Sequence, residues 1–152
     1  MLRRLSTTEL LACCASRRWA LHMDANAPYP DVEKLLATSD AELAALAWRD
    51  ITEALTAHPR IGSRMTGSSR EAEWSRHEQS AAVGADAELA AANAEYERKF
   101  DRVFLISAEG LSAAEVLAEL RRRLDNNEVV ERAEVRRELA KIVRRRLLRC
   151  ME

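Results

Sequence analysis

Helix-capping residues and helix breakers divide this chain into segments with the length and composition of α-helices. Ser6-Thr-Thr-Glu9 matches a capping box, and Ser112 can cap a second helix. Pro59 requires the helix before it to end near His58, because a residue that precedes proline avoids helical geometry. The predicted helices cover approximately residues 6–23, 31–37, 39–58, 70–83, 86–100, 112–124 and 128–149.

The composition favours the same architecture. Apolar residues make up 47% of the chain, mostly as alanine and leucine, whereas aromatic residues make up 5%. No pair of segments has the alternating pattern of two convincing strands. A chain of 152 residues is long enough to bury a core without a metal or a disulfide. The sequence therefore predicts an all-α, single-domain bundle of about eight helices over residues 1–152.

Charge and cysteine usage argue against several classes of protein. The 24 basic and 25 acidic residues give a net charge of −1, so the chain as a whole has no attraction for nucleic acid. Cys13, Cys14 and Cys150 form no C-x-x-C pair and no metal-ligand spacing, which fits a reducing compartment. No apolar run approaches the roughly 20 residues that span a bilayer, and the first residues are too polar for a secretory signal. We therefore expect a cytoplasmic protein without a metal site.

Three segments carry residues with useful chemistry. They are His58-Pro-Arg-Ile-Gly62, Ser75-Arg-His-Glu-Gln79, and Asn93-Ala-Glu-Tyr-Glu-Arg-Lys-Phe100, which leads into Val103-Phe-Leu-Ile106. Each has an ordinary interpretation when it is taken alone. The histidine can cap a helix C-terminus, glutamate and glutamine are common on helix surfaces, and an aromatic pair four residues apart is typical of core packing.

Together, in this order and spacing, the three segments resemble the family of 2-oxo-4-hydroxy-4-carboxy-5-ureidoimidazoline (OHCU) decarboxylases. The family pattern is H-P-x-I-G, S-x-x-E-Q, N-x-x-Y-x-x-[RK]-F and a short F-[IVL]-I segment. The flanks agree as well, at Cys13 to Trp19, at Glu119 to Asn126 with Glu131, and at Glu138 to Leu147. The chain departs from the pattern at Asp101-Arg-Val103, where the family usually has glycine first, and at Ala27, where arginine is common.

The resemblance implies an activity and a site. The protein would decarboxylate OHCU to (S)-allantoin in purine breakdown, without a cofactor, as a homodimer that binds neither nucleic acid nor membrane. His58 would be the general acid/base, and Glu78 would orient it or hold a polar edge of the substrate. The residues implied to bind the substrate are Pro59, Ser75, Gln79, Ile106, Gly110 and Arg146.

Two alternatives remain at this point. The basic runs Arg121–Arg123 and Arg144–Arg146 favour a helical interaction or nucleic-acid module, although acidic residues are interleaved and stacking aromatics are missing. The segment Asp101-Arg-Val103 favours a family relative with a different or lost activity. The other two histidines, His22 and His77, are interpreted as a helix cap and as a solvent-facing or supporting residue.

Overall fold

The computed structural model describes residues 1–61 and 87–152, and these two ranges are helical without strands. The prediction of an all-α fold is confirmed. The predicted helix over 70–83 lies outside the described residues. None of the helices in the two ranges has the length and apolar character needed to cross a membrane. The described helices are α1 Thr7–Cys13, α2 Arg17–Ala25, α3 Val32–Ala45, α4 Trp48–Leu55, α5 Ala87–Phe100, α6 Ala113–Leu124 and α7 Glu128–Cys150.

The capping signals predict three helix ends correctly. Ser6 forms a capping box with Glu9 at the start of α1, and Ser112 forms one with Glu115 at the start of α6. The turn after α6 begins at Asp125, as predicted. Each of these ends depends on residues within a few positions of one another, so the local sequence is sufficient to specify it.

The predicted helix over 6–23 is wrong in its continuity, because it is two helices. Its first part ends at Cys13, and α2 begins at Arg17. Ser16 caps α2, and its hydroxyl accepts a hydrogen bond from the backbone N–H of Trp19 at 3.2 Å. A second capping serine therefore ends the continuous pattern.

The boundary predicted near residue 39 is also wrong. Helix α3 continues through this position to Ala45, and the break occurs before Trp48, where α4 begins. Ser39 is buried inside α3, and its hydroxyl accepts a hydrogen bond from Trp19 Nε1 at 3.3 Å. A serine with a tertiary partner gives the same local signal as a cap, which explains the error.

The chain divides into two compact units. The first contains Met1–Ala57 and Leu139–Glu152, and the second contains His58–Glu138. That residues 1–152 form a single domain stays a prediction. The largest buried apolar side chains of the first unit are Trp19, Met23, Leu35, Ile51, Leu139 and Leu147. The described core of the second unit is formed by Ile61, Leu89, Ala92, Tyr96, Phe100, Phe104, Ile106, Ala108, Val116 and Leu120.

The departure at Asp101-Arg-Val103 has a structural explanation. Asp101 follows α5 with a φ of 54°, which lies in the left-handed region. Glycine, the residue that the family usually has at this position, adopts this region easily. Arg102 folds back over the helix end, with its guanidinium carbon 5.2 Å from the centre of the Phe100 ring. Its Nη1 and Nη2 donate to the Glu128 carboxylate at 3.0 and 3.2 Å. The turn therefore keeps a left-handed backbone without glycine.

Asp101→Gly should raise the free energy of unfolding by on the order of 1 kcal/mol, since a side chain in the left-handed region is strained. Urea denaturation measures the change. The matched control is Asp125→Gly, because Asp125 also follows a helix but has a φ of −83°. Glycine at this position should lower the free energy of unfolding. Equal losses in both variants would show that Asp101 is not strained.

Candidate active site

His58 lies just beyond the C-terminal end of a helix. Helix α4 ends at Leu55, three residues earlier than His58, and the chain turns before Pro59. His58 and Pro59 are both half-buried. The imidazole is therefore carried on a short turn that is neither fully exposed nor enclosed in the core.

The two residues after Pro59 are tied to α5. Arg60 donates to the Glu97 carboxylate through Nε at 2.5 Å and through a terminal nitrogen at 2.6 Å, and this interaction lowers the pKa of Glu97. Asn93 Nδ2 donates to the backbone carbonyl of Ile61 at 3.3 Å, and the Ile61 side chain is buried. Side chains of α5 therefore fix the backbone that follows His58.

The segment from Phe104 to Gly110 is held by polar side chains on both sides of Ile106. Arg123 Nη1 donates to the Leu105 carbonyl at 2.6 Å, and the Ser107 N–H donates to Glu138 Oε1 at 2.9 Å. Ile106 itself is buried in the core of the second unit. Gly110 is exposed at a φ of 85°, where a side chain would be strained. This backbone is thus ordered by contacts that leave its turn at Gly110 on the surface.

A buried ion pair between Arg123 and Glu131 contacts this segment. Arg123 and Glu131 are 1% and 0% exposed, and the Arg123 Nε donates to the Glu131 carboxylate at 2.9 Å. Tyr96 Oη donates to Glu131 at 2.5 Å, and Asn126 Nδ2 donates to it at 3.1 Å. Burial, and then the bond to Glu131, raises the pKa of Tyr96. The Arg123 guanidinium also lies 4.5 Å from the centre of the Phe104 ring. Every charge in this cluster has a partner, as buried charges require.

Arg146 belongs to the first unit and is fully buried. Its Nη1 lies 3.4 Å from the carbonyl of Ala12 and 3.3 Å from that of Cys13. By contrast, Arg144 is exposed and pairs with Asp40 at 2.6 Å. Burial therefore distinguishes Arg146 from Arg144 within the C-terminal basic run.

The sequence model of the OHCU decarboxylase family matches residues 2–148. The chain belongs to the OHCU decarboxylase family. It is also 33% identical over 138 residues to the uric acid degradation bifunctional protein TTL of Arabidopsis thaliana. That match covers 86% of this chain and 43% of the relative, so the chain spans less than half the length of this curated protein.

A solved structure has the same fold. It is a crystal structure of an OHCU decarboxylase in the presence of (S)-allantoin, to which this family member is 29% identical with a TM-score of 0.79. The match covers 95% of this chain and 97% of that one. The likeness therefore extends over nearly the whole of both chains.

Several motif residues of this OHCU decarboxylase family member have structural partners that sequence reasoning missed. Asn93 holds the Ile61 carbonyl, and Tyr96, Arg123, Asn126 and Glu131 form the buried cluster. The family resemblance groups these residues in motifs but indicates none of their contacts. Their partners are separated by 5 to 35 positions, so only the folded chain identifies them.

The predicted site residues fall into three groups. The second unit contains His58, Pro59, Ile106 and Gly110, and the first contains Arg146. Ser75, Glu78 and Gln79 lie outside the described residues. His22, interpreted as a cap, is in the last turn of α2 and lies 2.7 Å from Glu42 through Nδ1. In the described ranges, no three His, Cys, Asp or Glu side chains are grouped so that they could hold a metal ion.

Proposed function

We propose that this protein decarboxylates OHCU and releases (S)-allantoin during urate degradation. The observation that carries the proposal is family membership over residues 2–148. The related crystal structure obtained in the presence of (S)-allantoin supports the product. We further propose that the protein acts in the cytoplasm without a cofactor.

The chemistry of the substrate is the argument against a cofactor. Its carboxylate is attached to a carbon next to a ring C=N bond. When the bond to the carboxylate breaks, carbon dioxide leaves and the electron pair moves into this imine. The ring thus accepts the electrons itself. The ring nitrogen then takes a proton, the hydroxyl group loses its proton and becomes the ring carbonyl, and a proton added to one face of the neighbouring planar carbon completes the product. The protein must then supply positioning and proton control.

His58 is the proposed proton donor and acceptor. An imidazole with an ordinary pKa near 6.5 has useful amounts of both forms close to neutral pH. His58 is half-buried and precedes Pro59, and the next two residues, Arg60 and Ile61, are bonded to α5. These contacts support a role in which the backbone of His58 is fixed while its ring is partly exposed. Transfer of the proton from one side would give one enantiomer.

Glu78, Gln79 and Ser75 are proposed to meet the substrate or His58. The Glu78 carboxylate can orient an imidazole or accept from a polar edge of the substrate. Gln79 can both donate to and accept from the ureido group, and Ser75 can add a hydroxyl. In the helix predicted from the sequence over 70–83, a spacing of three or four residues would place Ser75 on the same face as Glu78 and Gln79.

Pro59 and the segment from Ile106 to Gly110 are proposed to complete the substrate pocket. Pro59 limits the directions in which His58 can point. Backbone groups between Ile106 and Gly110 would bind ring oxygens. The hydrogen bonds from Arg123 to Leu105 and from Ser107 to Glu138 support this role, because they order the backbone before a substrate arrives.

The function is tested with freshly generated OHCU. The purified protein should accelerate its decay and give optically active allantoin, followed by circular dichroism. The activity should survive dialysis and a chelator, since the proposal includes no metal. Decay at the spontaneous rate in every condition, or strict dependence on an added metal, would contradict it.

Light scattering of the same samples tests the proposed homodimer, which has twice the 17.1 kDa of one chain.

The alternative of a nucleic-acid module is less well supported by the arginine contacts. Arg121 pairs with Glu88 at 3.1 Å, Arg122 pairs with Glu119 and Glu134, and Arg123 is buried with Glu131. Acidic partners thus neutralise this run, whereas phosphate binding needs available positive charge.

Arg146 is proposed to bind the carboxylate of the substrate through its planar guanidinium fork, and Arg146→Lys tests this role. Lysine keeps the charge but loses the planar fork, so kcat/KM should fall by roughly 10- to 100-fold. The control is Arg144→Lys, which alters an exposed pair with Asp40 and should leave kcat/KM unchanged. Thermal unfolding must be measured for both, because Arg146 also contacts the end of α1. If the two variants turn over alike, another group binds the carboxylate.

A further inference from the structure

We propose that Cys13 and Cys150 are a redox-active pair that forms a disulfide when a two-electron oxidant of the peroxide class reaches them. Their sulfur atoms are 3.8 Å apart although the residues are 137 positions apart in the sequence. Both residues belong to the first unit and are reduced in the structure. Formation of this disulfide does not depend on the proposed decarboxylase activity.

The helix ends place the two sulfur atoms together. Cys13 is the last residue of α1, and Cys150 is the last residue of α7. Both side chains are buried, at 0% and 4% exposure. A disulfide has its sulfur atoms about 2 Å apart, so the pair must approach by less than 2 Å. Small changes at two helix ends can supply that movement, because helix ends fray readily.

The backbone of each cysteine is held by an arginine. Arg146 Nη1 lies 3.3 Å from the Cys13 carbonyl, and Arg3 Nη2 lies 3.1 Å from the Cys150 carbonyl. Arg3 is itself held by a bidentate contact with Glu9 in α1. The negative ends of the two helix dipoles disfavour a thiolate, and the Arg146 guanidinium opposes that effect at Cys13. Cys13 therefore lies near positive charge, and the backbone of both cysteines is held in place.

The oxidation balances with hydrogen peroxide as the oxidant. One cysteine, as the thiolate, attacks a peroxide oxygen, the O–O bond breaks, and a sulfenic acid and one water form after protonation. The second sulfur then attacks the sulfenic sulfur, the S–O bond breaks, and a second water leaves. Two thiols lose two electrons in total, and one hydrogen peroxide becomes two waters. Excess dithiol reverses the reaction by thiol–disulfide exchange.

The crosslink should stabilise the folded chain. It would close a loop that contains nearly all of the sequence, and long loops lose the most conformational freedom in the unfolded state. It would also join the end of α1 to the end of α7. The oxidised protein should therefore unfold at a higher urea concentration than the reduced protein.

Peptide mapping of the folded 152-residue chain tests the pair. After treatment with hydrogen peroxide, trypsin should release Cys150-Met-Glu152 linked to the peptide from Leu5 to Arg17, and dithiothreitol should separate them. Because that longer peptide contains both Cys13 and Cys14, variants must identify the partner. Cys14→Ala should keep the link, whereas Cys13→Ala and Cys150→Ala should abolish it.

Cys14 is the matched control because it is adjacent in sequence and is also 0% exposed. Oxidation should raise the urea midpoint of the wild type and of Cys14→Ala, but not that of Cys13→Ala. A link that survives in Cys13→Ala, a link only between chains, or oxidation to sulfinic acid without any link would overturn the proposal. Intact mass under non-reducing conditions distinguishes these products.

Discussion

His58→Asn should reduce the decay of OHCU to near its spontaneous rate and leave the allantoin racemic. Asparagine keeps much of the size and some hydrogen bonding of histidine, but it cannot transfer a proton near neutral pH. General acid/base help is typically worth roughly 10²- to 10⁴-fold, so the loss in kcat should have that size. Product circular dichroism and the rate of OHCU decay, measured together, check both parts of this expectation.

His22→Asn is the matched control for this experiment. His22 lies at the end of α2 and contacts Glu42 at 2.7 Å through Nδ1, so its replacement should leave rate and handedness unchanged. Far-ultraviolet spectra should show that both variants are folded. If His58→Asn still forms one enantiomer at near wild-type speed, His58 has a structural role and Glu78 becomes the first alternative proton donor.

The sequence predicts the elements whose signals are local. The capping boxes at Ser6 and Ser112 specify the starts of α1 and α6 because both partners lie three residues apart. It fails where the same residue type has a distant partner. Ser39 can be a cap or a buried acceptor, and its partner Trp19 lies 20 positions away. No local pattern distinguishes these two uses of serine.

The same limit applies to the candidate site. The resemblance implies site roles for His58 and Ile106, which stand in recognisable motifs, and for Gly110, which follows the last of these motifs. It does not show how their backbone is held, since Arg60 meets Glu97 across 37 positions and Ser107 meets Glu138 across 31. Those contacts depend on the packing of α5 and α7, which sequence periodicity alone does not determine.

The buried cluster around Glu131 should be the most sensitive point for stability. Glu131→Ala would leave the Arg123 guanidinium buried without its charged partner, and Tyr96 and Asn126 would each lose an acceptor. Breaking a buried ion pair from one side typically costs about 3–5 kcal/mol of unfolding free energy. Urea denaturation should therefore show a loss of about that size. Without Glu131, Arg123 should also hold the Leu105 carbonyl less firmly, so turnover should fall as well.

The control for Glu131→Ala is Glu88→Ala, since Glu88 pairs with Arg121 in an exposed contact at 3.1 Å and should cost less than about 1 kcal/mol. A double variant, Arg123→Met with Glu131→Leu, separates the ion pair from the packing. The double variant should lose less unfolding free energy than the sum of the losses in Arg123→Met and Glu131→Leu alone, because no charge then remains buried without a partner. It should still be less stable than the wild type, since the Tyr96 hydroxyl and the Leu105 carbonyl lose their partners. If Glu131→Ala costs no more than Glu88→Ala, the cluster contributes little to folding, and the geometry of the segment from Phe104 to Gly110 must be maintained by its apolar contacts and by the hydrogen bond from Ser107 to Glu138.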